Sequence, residues 1–219
     1  TYLCSSFEIY WLNNLIHERE SLKAIYNATN GHNWTNNDGW RDETEDYCVW
    51  YGISCDDEEH VTDIDLRNNN LVGQFPVYTR YGNPIKVNDW RESKYGLANL
   101  YSLKTLDLAE NKLTGTIEYR PLYNLRVLSY WDVSGNQLSG VLDTQVAPSV
   151  NYADFSNNGF TSMRRFVQYK VQSLRVCDVS NNAIQEDAAD ILENIPPNIE
   201  HFLASNNQIY GRLPASLNN

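Results

Sequence analysis

This sequence predicts an α/β solenoid: a right-handed horseshoe or superhelix with a parallel β-sheet on its concave side and a helical N-terminal cap. Three observations predict it. First, residues 103–115 read LKTLDLAENKLTG, with Leu103, Leu106, Leu108 and Leu113 apolar around Asn111. Leu106-Asp107-Leu108 alternates inward and outward as a short strand. Asn111 then turns the chain inward, and its amide carries donors and an acceptor for backbone groups of the buried turn. Second, the same register recurs six times, at Asn69, Asn111, Asn136, Asn158, Asn182 and Asn207. Third, an amphipathic segment precedes the first unit. One unit cannot bury its own leucines, so the units must stack and the first open face needs a cap.

Composition sets the bounds. The 219 residues suffice for one elongated domain with a continuous core. No apolar run approaches the ~18 residues of a membrane span. The net charge of -11 and pI of about 4.7 exclude nucleic acid and anionic lipid as main partners, because both require a basic face. The chain opens at Thr1 without a Met or a basic-then-apolar leader, which is expected of a mature or clipped product. Two sequons, Asn27-Ala28-Thr29 and Asn33-Trp34-Thr35, stand beside a cysteine pair and point to the secretory route, with glycans on Asn27 and Asn33. The expected location is secreted or at the cell surface.

Taken in order, Ser5-Ser6-Phe7-Glu8 reads as a capping box that opens a helix. Phe7, Trp11, Leu12, Leu15, Leu22, Ile25 and Tyr26 recur at helical spacing, with a break expected near residues 17–21. Asn30-Gly31 is a helix stop. Three motifs follow in succession: N-W-x-x-x-x-G-W from Asn33, C-x-W-x-G-I-x-C from Cys48, and V-T-x-I-D-L-x-x-N-x-L-x-G-x-x-P from Val61. This succession resembles the N-terminal cap and first repeat of plant-type extracellular leucine-rich repeat proteins, a family also found in algae and other protists. The resemblance implies a disulfide between Cys48 and Cys55, whose short loop contributes about 2–3 kcal/mol in the chain-entropy model. It also assigns Trp34, Trp40 and Trp50 to the core and interface of the cap rather than to ligand stacking. The division expected is a cap over residues 1–60 and a solenoid of about six repeats over 61–219.

The turn asparagines are separated by 42, 25, 22, 24 and 25 residues. All but the first interval fall in the roughly 20–29-residue range of such repeats. Each unit carries the matching apolar set, from Val61, Ile64, Leu66 and Leu71 in the first to Ile199, Phe202, Ala204 and Ile209 in the sixth. Strands are expected at 64–66, 106–108, 131–133, 153–155, 177–179 and 202–204. The tail L-x-G-x-x-P is complete after Leu71 and Ile209, partial after Leu113 and Leu138, and lost after Phe160 and Ile184. The surplus of the first interval lies near 77–96. It is read as an insertion carrying Arg80, Trp90 and Arg91 for recognition; the alternative is a degenerate repeat with its strand at Ile85-Lys86-Val87.

No catalytic constellation emerges. His17, His32, His60 and His201 are scattered, and no phosphate loop or metal-binding motif is present. The chain is therefore expected not to be an enzyme and to need no cofactor or metal. The register does align Asp65, Asp107, Asp132, Asp154 and Asp178, followed by Leu203, between the inward strand residues. Rungs about 4.8 Å apart would stack these carboxylates as a column on the concave face. That column is either ordinary structure of the repeat or a seat for a cation or basic ligand. Beside it Tyr130 and Tyr152 share one position, and Arg175 and His201 are expected to follow on the same surface, an arrangement suited to a binding hot spot. Asp56-Asp57-Glu58-Glu59 reads as a solvated turn, lacking the spacing of a calcium loop. Cys177 takes a core position as a free thiol, and Cys4 has no evident mate.

These readings converge on an extracellular protein-binding module, a receptor- or inhibitor-like ectodomain recognising a protein or glycan ligand on its concave face. The alternative is a structural subunit of an extracellular assembly. The core residues of the sixth repeat would otherwise face water beside an open sheet edge, so further repeats or a partner are expected at the C-terminal end.

Overall fold

The computed structural model describes residues 6–42, 46–76, 79–80, 83–84, 96–117, 122, 124–142, 148–163 and 172–213, with side chains in the first helix described from residue 17 onward. The chain begins with a helix, α1 (Ser6–Ala28), that runs unbroken through residues 17–21. The expected break is absent because Glu18, Ser21, Leu22 and Ile25 form one buried stripe across it, with Glu18 and Ser21 taking places the apolar pattern left vacant. Phe7, Trp11, Leu12 and Leu15 lie outside the described side chains, as Cys4 and Ser5 lie outside the described residues.

The principal sheet contains β1 (Ile53–Cys55), β2 (Val61–Asp65), β6 (Thr105–Asp107), β8 (Tyr130–Asp132), β10 (Tyr152–Asp154), β12 (Val176–Asp178) and β13 (His201–Leu203), in that order. The cap strand β1 pairs antiparallel with β2, and every later pair is parallel. From the second repeat on, each strand starts and stops one residue before the span expected from its apolar pair. The ladder stops at each Asp because the carbonyl of the following residue, at Leu108, Val133, Phe155 and Val179, accepts from asparagine Nδ2 groups instead of from a neighbouring strand. Since β2 pairs directly with β6, with Asp65 opposite Asp107, the long first interval adds no rung between them. Within that interval β4 (Thr79–Arg80) and β5 (Asn83–Pro84) form a short antiparallel pair beside α1.

A second, parallel sheet was not anticipated from the apolar pattern. It comprises β3 (Val72–Gln74), β7 (Lys112–Gly115), β9 (Gln137–Val141) and β11 (Gly159–Ser162), built from the tails of four repeats. The fourth repeat joins it through β11 although its L-x-G tail is lost. The fifth instead sends its chain through the short helix α2 (Ala188–Asn194), capped by Asp187 accepting from Ala189 N–H.

The core runs as one cluster from the cap tryptophans to Cys177, Val179 and Ile184. Between the sheets stands a ladder of asparagines. Asn111 Nδ2 donates to the carbonyls of Leu66, Leu108 and Ala109, while its Oδ1 accepts from the N–H groups of Asn69 and Leu71. Asn136, Asn158, Asn182 and Asn207 each repeat the reach into the preceding unit, accepting from Leu113, Leu138, Phe160 and Ile184. The residue before each asparagine is left-handed, at φ 50° to 64°, which is why Asn or Gly fills the place in every repeat except at Glu110. The cap terminates the ladder: Asn69 exchanges hydrogen bonds with the backbone of Asn36. Gly73 makes the other seam, since a Cβ there would meet the Ala28 carbonyl at 2.1 Å.

Candidate ligand-binding face

Along each strand of the main sheet, alternate residues face the core and the concave surface. Ile64, Leu106, Trp131, Ala153 and Cys177 are buried on the core side. Their neighbours make two columns on the other face. In one, Asp63, Thr105, Tyr130, Tyr152, Val176 and His201 are level; in the other, Asp65, Asp107, Asp132, Asp154, Asp178 and Leu203.

The aspartates serve the fold first. Each carboxylate accepts from the backbone N–H two residues on, at Arg67, Ala109, Ser134, Ser156 and Ser180, and so closes the turn that leaves the strand. Stacking them still carries an electrostatic cost. Burial raises the Asp107 carboxyl above its usual range, the Ala109 N–H opposes this, and Asp132 raises it again. Asp154 is raised in the same way, by burial first, against its hydrogen bonds to Ser156 and with Asp132 and Asp178 adding to the rise. Arg67, one turn beyond the first strand, supplies part of the missing charge. Its Nη1 lies 3.5 Å from Asp107 Oδ2 and 3.2 Å from Asp132 Oδ2, so one guanidinium bridges two rungs.

Beside this bridge Tyr130 and Tyr152 lie face to face, ring centroids 4.6 Å apart and planes within 2°. Tyr130 Oη donates to Asp132 at 3.4 Å. Both phenols are held up from their usual pKa, by burial first and then by the neighbouring aspartates. The pair is partly open to solvent.

Arg175 does not sit where the sequence reading placed it. The residue level with Tyr152 is Val176, and Arg175 lies one step earlier, level with Asn151 and Glu200. Its Nη1 is engaged by the carbonyls of Gln172, Ser173 and Asn198, and its Nε faces Glu200 at 3.6 Å. Counting one residue back from Cys177, as Tyr130 precedes Trp131 and Tyr152 precedes Ala153, gives Val176 at this level. His201 does occupy the tyrosine column, exposed on β13. Trp90 and Arg91 lie outside the described residues, as does the side chain of Arg80. The residue missed was Arg67: its signal was a basic side chain where the other repeats carry Ala or Ser.

Elsewhere the cap is structural. Cys48 and Cys55 are bonded. Trp34, Trp40 and Trp50 are buried in one aromatic cluster with Tyr26 and Tyr47, and Arg19 lies over the Tyr47 and Trp50 rings. Asn27 and Asn33 are both exposed, although Trp34 turns inward between them and the first repeat. Cys177 is a buried free thiol. Among the described residues no three His, Cys, Asp or Glu are placed to hold a metal ion, and no helix is long and apolar enough to cross a membrane.

Comparison with known proteins agrees with this architecture. The family model for the leucine-rich repeat matches residues 102–120. A leucine-rich repeat-containing protein enriched in S-cells of Dictyostelium discoideum is 29% identical over 171 residues, which is 74% of this chain and 11% of that protein. The receptor-like protein kinase BRI1-like 3 of Arabidopsis thaliana is 29% identical over 170 residues, 72% of this chain and 14% of that protein. The chain thus spans a small part of the length of these relatives. Among solved structures, the Arabidopsis receptor kinase HAESA, in complex with the peptide hormone IDA and a co-receptor, superposes with a TM-score of 0.72 at 21% identity, covering 92% of this chain and 31% of that one. The ectodomain of the Arabidopsis receptor kinase SOBIR1 gives 0.64 at 17% identity, covering 90% and 96%. At these identities the structural likeness is one of fold.

Proposed function

We propose that this chain, a leucine-rich repeat protein similar to plant receptor-like proteins, is an extracellular binding module whose concave face takes a protein ligand. The observation that carries the reading is the Tyr130–Tyr152 stack. Two large, pre-ordered rings in the middle of a mainly polar face offer contact area at low entropic cost, as binding hot spots do. That HAESA was solved with a peptide hormone supports a peptide-sized ligand on a solenoid of this kind. An extracellular location fits the Cys48–Cys55 disulfide, which a reducing cytosol would not maintain. In this reading residues 1–60 close the solenoid, residues 61–219 present the face, the module is non-catalytic, and Asn27 and Asn33 carry glycans.

Selection of a random peptide library on the immobilised chain tests it. Enriched peptides should lose binding to Tyr130→Ala and Tyr152→Ala variants and keep it with Tyr101→Ala, which alters an exposed ring outside the tyrosine column. Binders indifferent to both tyrosines would overturn the reading.

One observation favours an assembly role as a second reading. In every earlier repeat, backbone N–H groups after the strand donate to the next unit. In the sixth, those of Ala204, Asn206 and Ile209 have no such acceptor among the described residues, and Leu203, Tyr210 and Leu213 are exposed beside them. The shape that fits is another strand-and-asparagine unit, which a second copy of this chain could present. Sedimentation over a concentration series distinguishes the readings, since an assembly contact makes the chain self-associate while the concave reading leaves it monomeric.

A further inference from the structure

We infer that the ligand of the concave face is a cationic peptide segment, one of whose arginine or lysine side chains bridges Asp154 and Asp178 beside the partly exposed Tyr152 ring. The inference rests on the concave-face reading and adds the chemistry of the partner.

The chain itself displays the required interaction. Arg67 bridges Asp107 and Asp132, adjacent rungs of the column. Asp154 and Asp178 are likewise adjacent rungs, further along the same column. Among the described residues no Lys, Arg or His pairs with either of them. Asp154 Oδ1 accepts from Ser156 N–H at 2.9 Å and Asp178 Oδ1 from Ser180 N–H at 2.7 Å. Asp154 also bonds the Ser156 side chain. A carboxylate offers about four acceptor sites, so both retain capacity for a further donor, and Asp154 is repelled by Asp132 and Asp178.

The surroundings select the shape of the cation. One face of Tyr152 is covered by Tyr130, while on its other side the next residue of the column is the smaller Val176, then exposed His201. Next to Tyr152 the column therefore carries a shorter, half-buried aliphatic side chain, with the half-buried carboxylates of Asp154 and Asp178 on the same two strands. A methylene stem or guanidinium plane fits against the ring while the charge reaches the aspartates. Six aspartates occupy the two columns with Arg67 as their internal cation, in a chain of net charge -11, so long-range attraction acts in the same direction. A guanidinium also matches paired carboxylates better than a bare ion does, and no metal-holding cluster is formed there by the described residues.

The test uses four end-capped pentapeptides, glycine except for a central arginine, lysine, citrulline or glutamate, titrated into the whole chain by NMR and calorimetry. The arginine peptide should shift the amide signals of Tyr152, Val176 and Ser180. The citrulline peptide, equal in shape but neutral, should bind at least tenfold more weakly, the glutamate peptide not at all, and binding should weaken as salt is raised. Asp154→Asn and Asp178→Asn should each reduce arginine binding, while Asp63→Asn in the other column leaves it intact. The citrulline comparison needs no variant, so it holds even if a substitution impairs folding. Equal binding of arginine and citrulline peptides, or shifts confined to another surface, would overturn the inference. If library-selected binders depend on Tyr152 yet are uncharged, the concave reading stands and the cationic partner falls. If the arginine peptide binds here but selected binders ignore both tyrosines, the cation seat stands and the wider reading falls.

Discussion

Arg67 and Asp132 are 65 residues apart in the chain and 3.2 Å apart in space. The guanidinium reaches over a whole repeat to do this, touching Asp107 on the way. Asp132 is only 3% exposed, so the guanidinium takes the place of solvent beside its carboxylate. Replacing Arg67 with Gln should destabilise the chain by about 1 kcal/mol at pH 7, the upper range for a pair with one half-exposed member. The loss should fade as pH falls and the carboxylates take up protons, because the repulsion then disappears with the charges. Urea denaturation of both proteins at neutral and acid pH measures this; an Arg67→Gln variant as stable as the parent at pH 7 would show the column to be relieved in another way.

Much of this arrangement was legible in the sequence. The aspartate column and the Tyr130–Tyr152 level follow from counting a short repeat, since stacked strands carry residues of like position to like height. The second sheet was not legible: β3, β7, β9 and β11 are short, polar and glycine-bearing, without the apolar alternation that marks a half-buried strand. Arg67 was overlooked because its partners lie one and two repeats away, where the length of the side chain rather than the register decides the contact. Arg175 was misplaced because its charge suited the hot spot although its position does not: it stands two residues before Cys177, whereas Tyr152 stands one before Ala153.

Asn111 should be among the most sensitive positions in the chain. Its side chain satisfies five backbone groups across two repeats. Substitution by Ala leaves several of these buried without partners, at roughly 1–3 kcal/mol for each orphan that water cannot reach. Loss of about 3 kcal/mol or more is expected from equilibrium unfolding. Asn207 makes the same kind of contacts at a more exposed rung, so Asn207→Ala should cost clearly less. Equal costs would mean that water does not substitute at the outer rung.

The Cys48–Cys55 bond closes a short loop that contains the buried Trp50. Replacing both cysteines with Ser should lower stability by about 2–3 kcal/mol through the greater freedom of the unfolded chain. The melting temperature of the doubly substituted protein, compared with the parent under non-reducing conditions, reads this directly. The concave face should keep its peptide binding below that melting point, since β1 lies at the far end of the sheet from Tyr152.

Glu18 joins cap to solenoid and gives the stability a pH dependence of definite sign. The residue is 3% exposed; its Oε2 accepts from Val61 N–H at 2.8 Å, and its Oε1 lies 3.3 Å from His60 Nδ1. Burial raises its pKa, while the Val61 N–H and His60 oppose the rise and Asp56 adds to it. A carboxyl raised in the folded state contributes fully at a pH below its unfolded value and loses that contribution as pH climbs through the folded value. Glu18→Gln retains an acceptor for Val61 without a charge to desolvate. The variant should therefore be more stable than the parent at pH 7, with the advantage shrinking toward zero near pH 4, where the parent is protonated as well. Glu18→Ala, by contrast, leaves the Val61 N–H unpaired beneath the helix and should destabilise at both values, by about 1–3 kcal/mol. Chemical denaturation of the three proteins at both pH values decides the matter: a Gln variant weaker than the parent at pH 7 would show that the ion pair with His60 outweighs the cost of burying the charge.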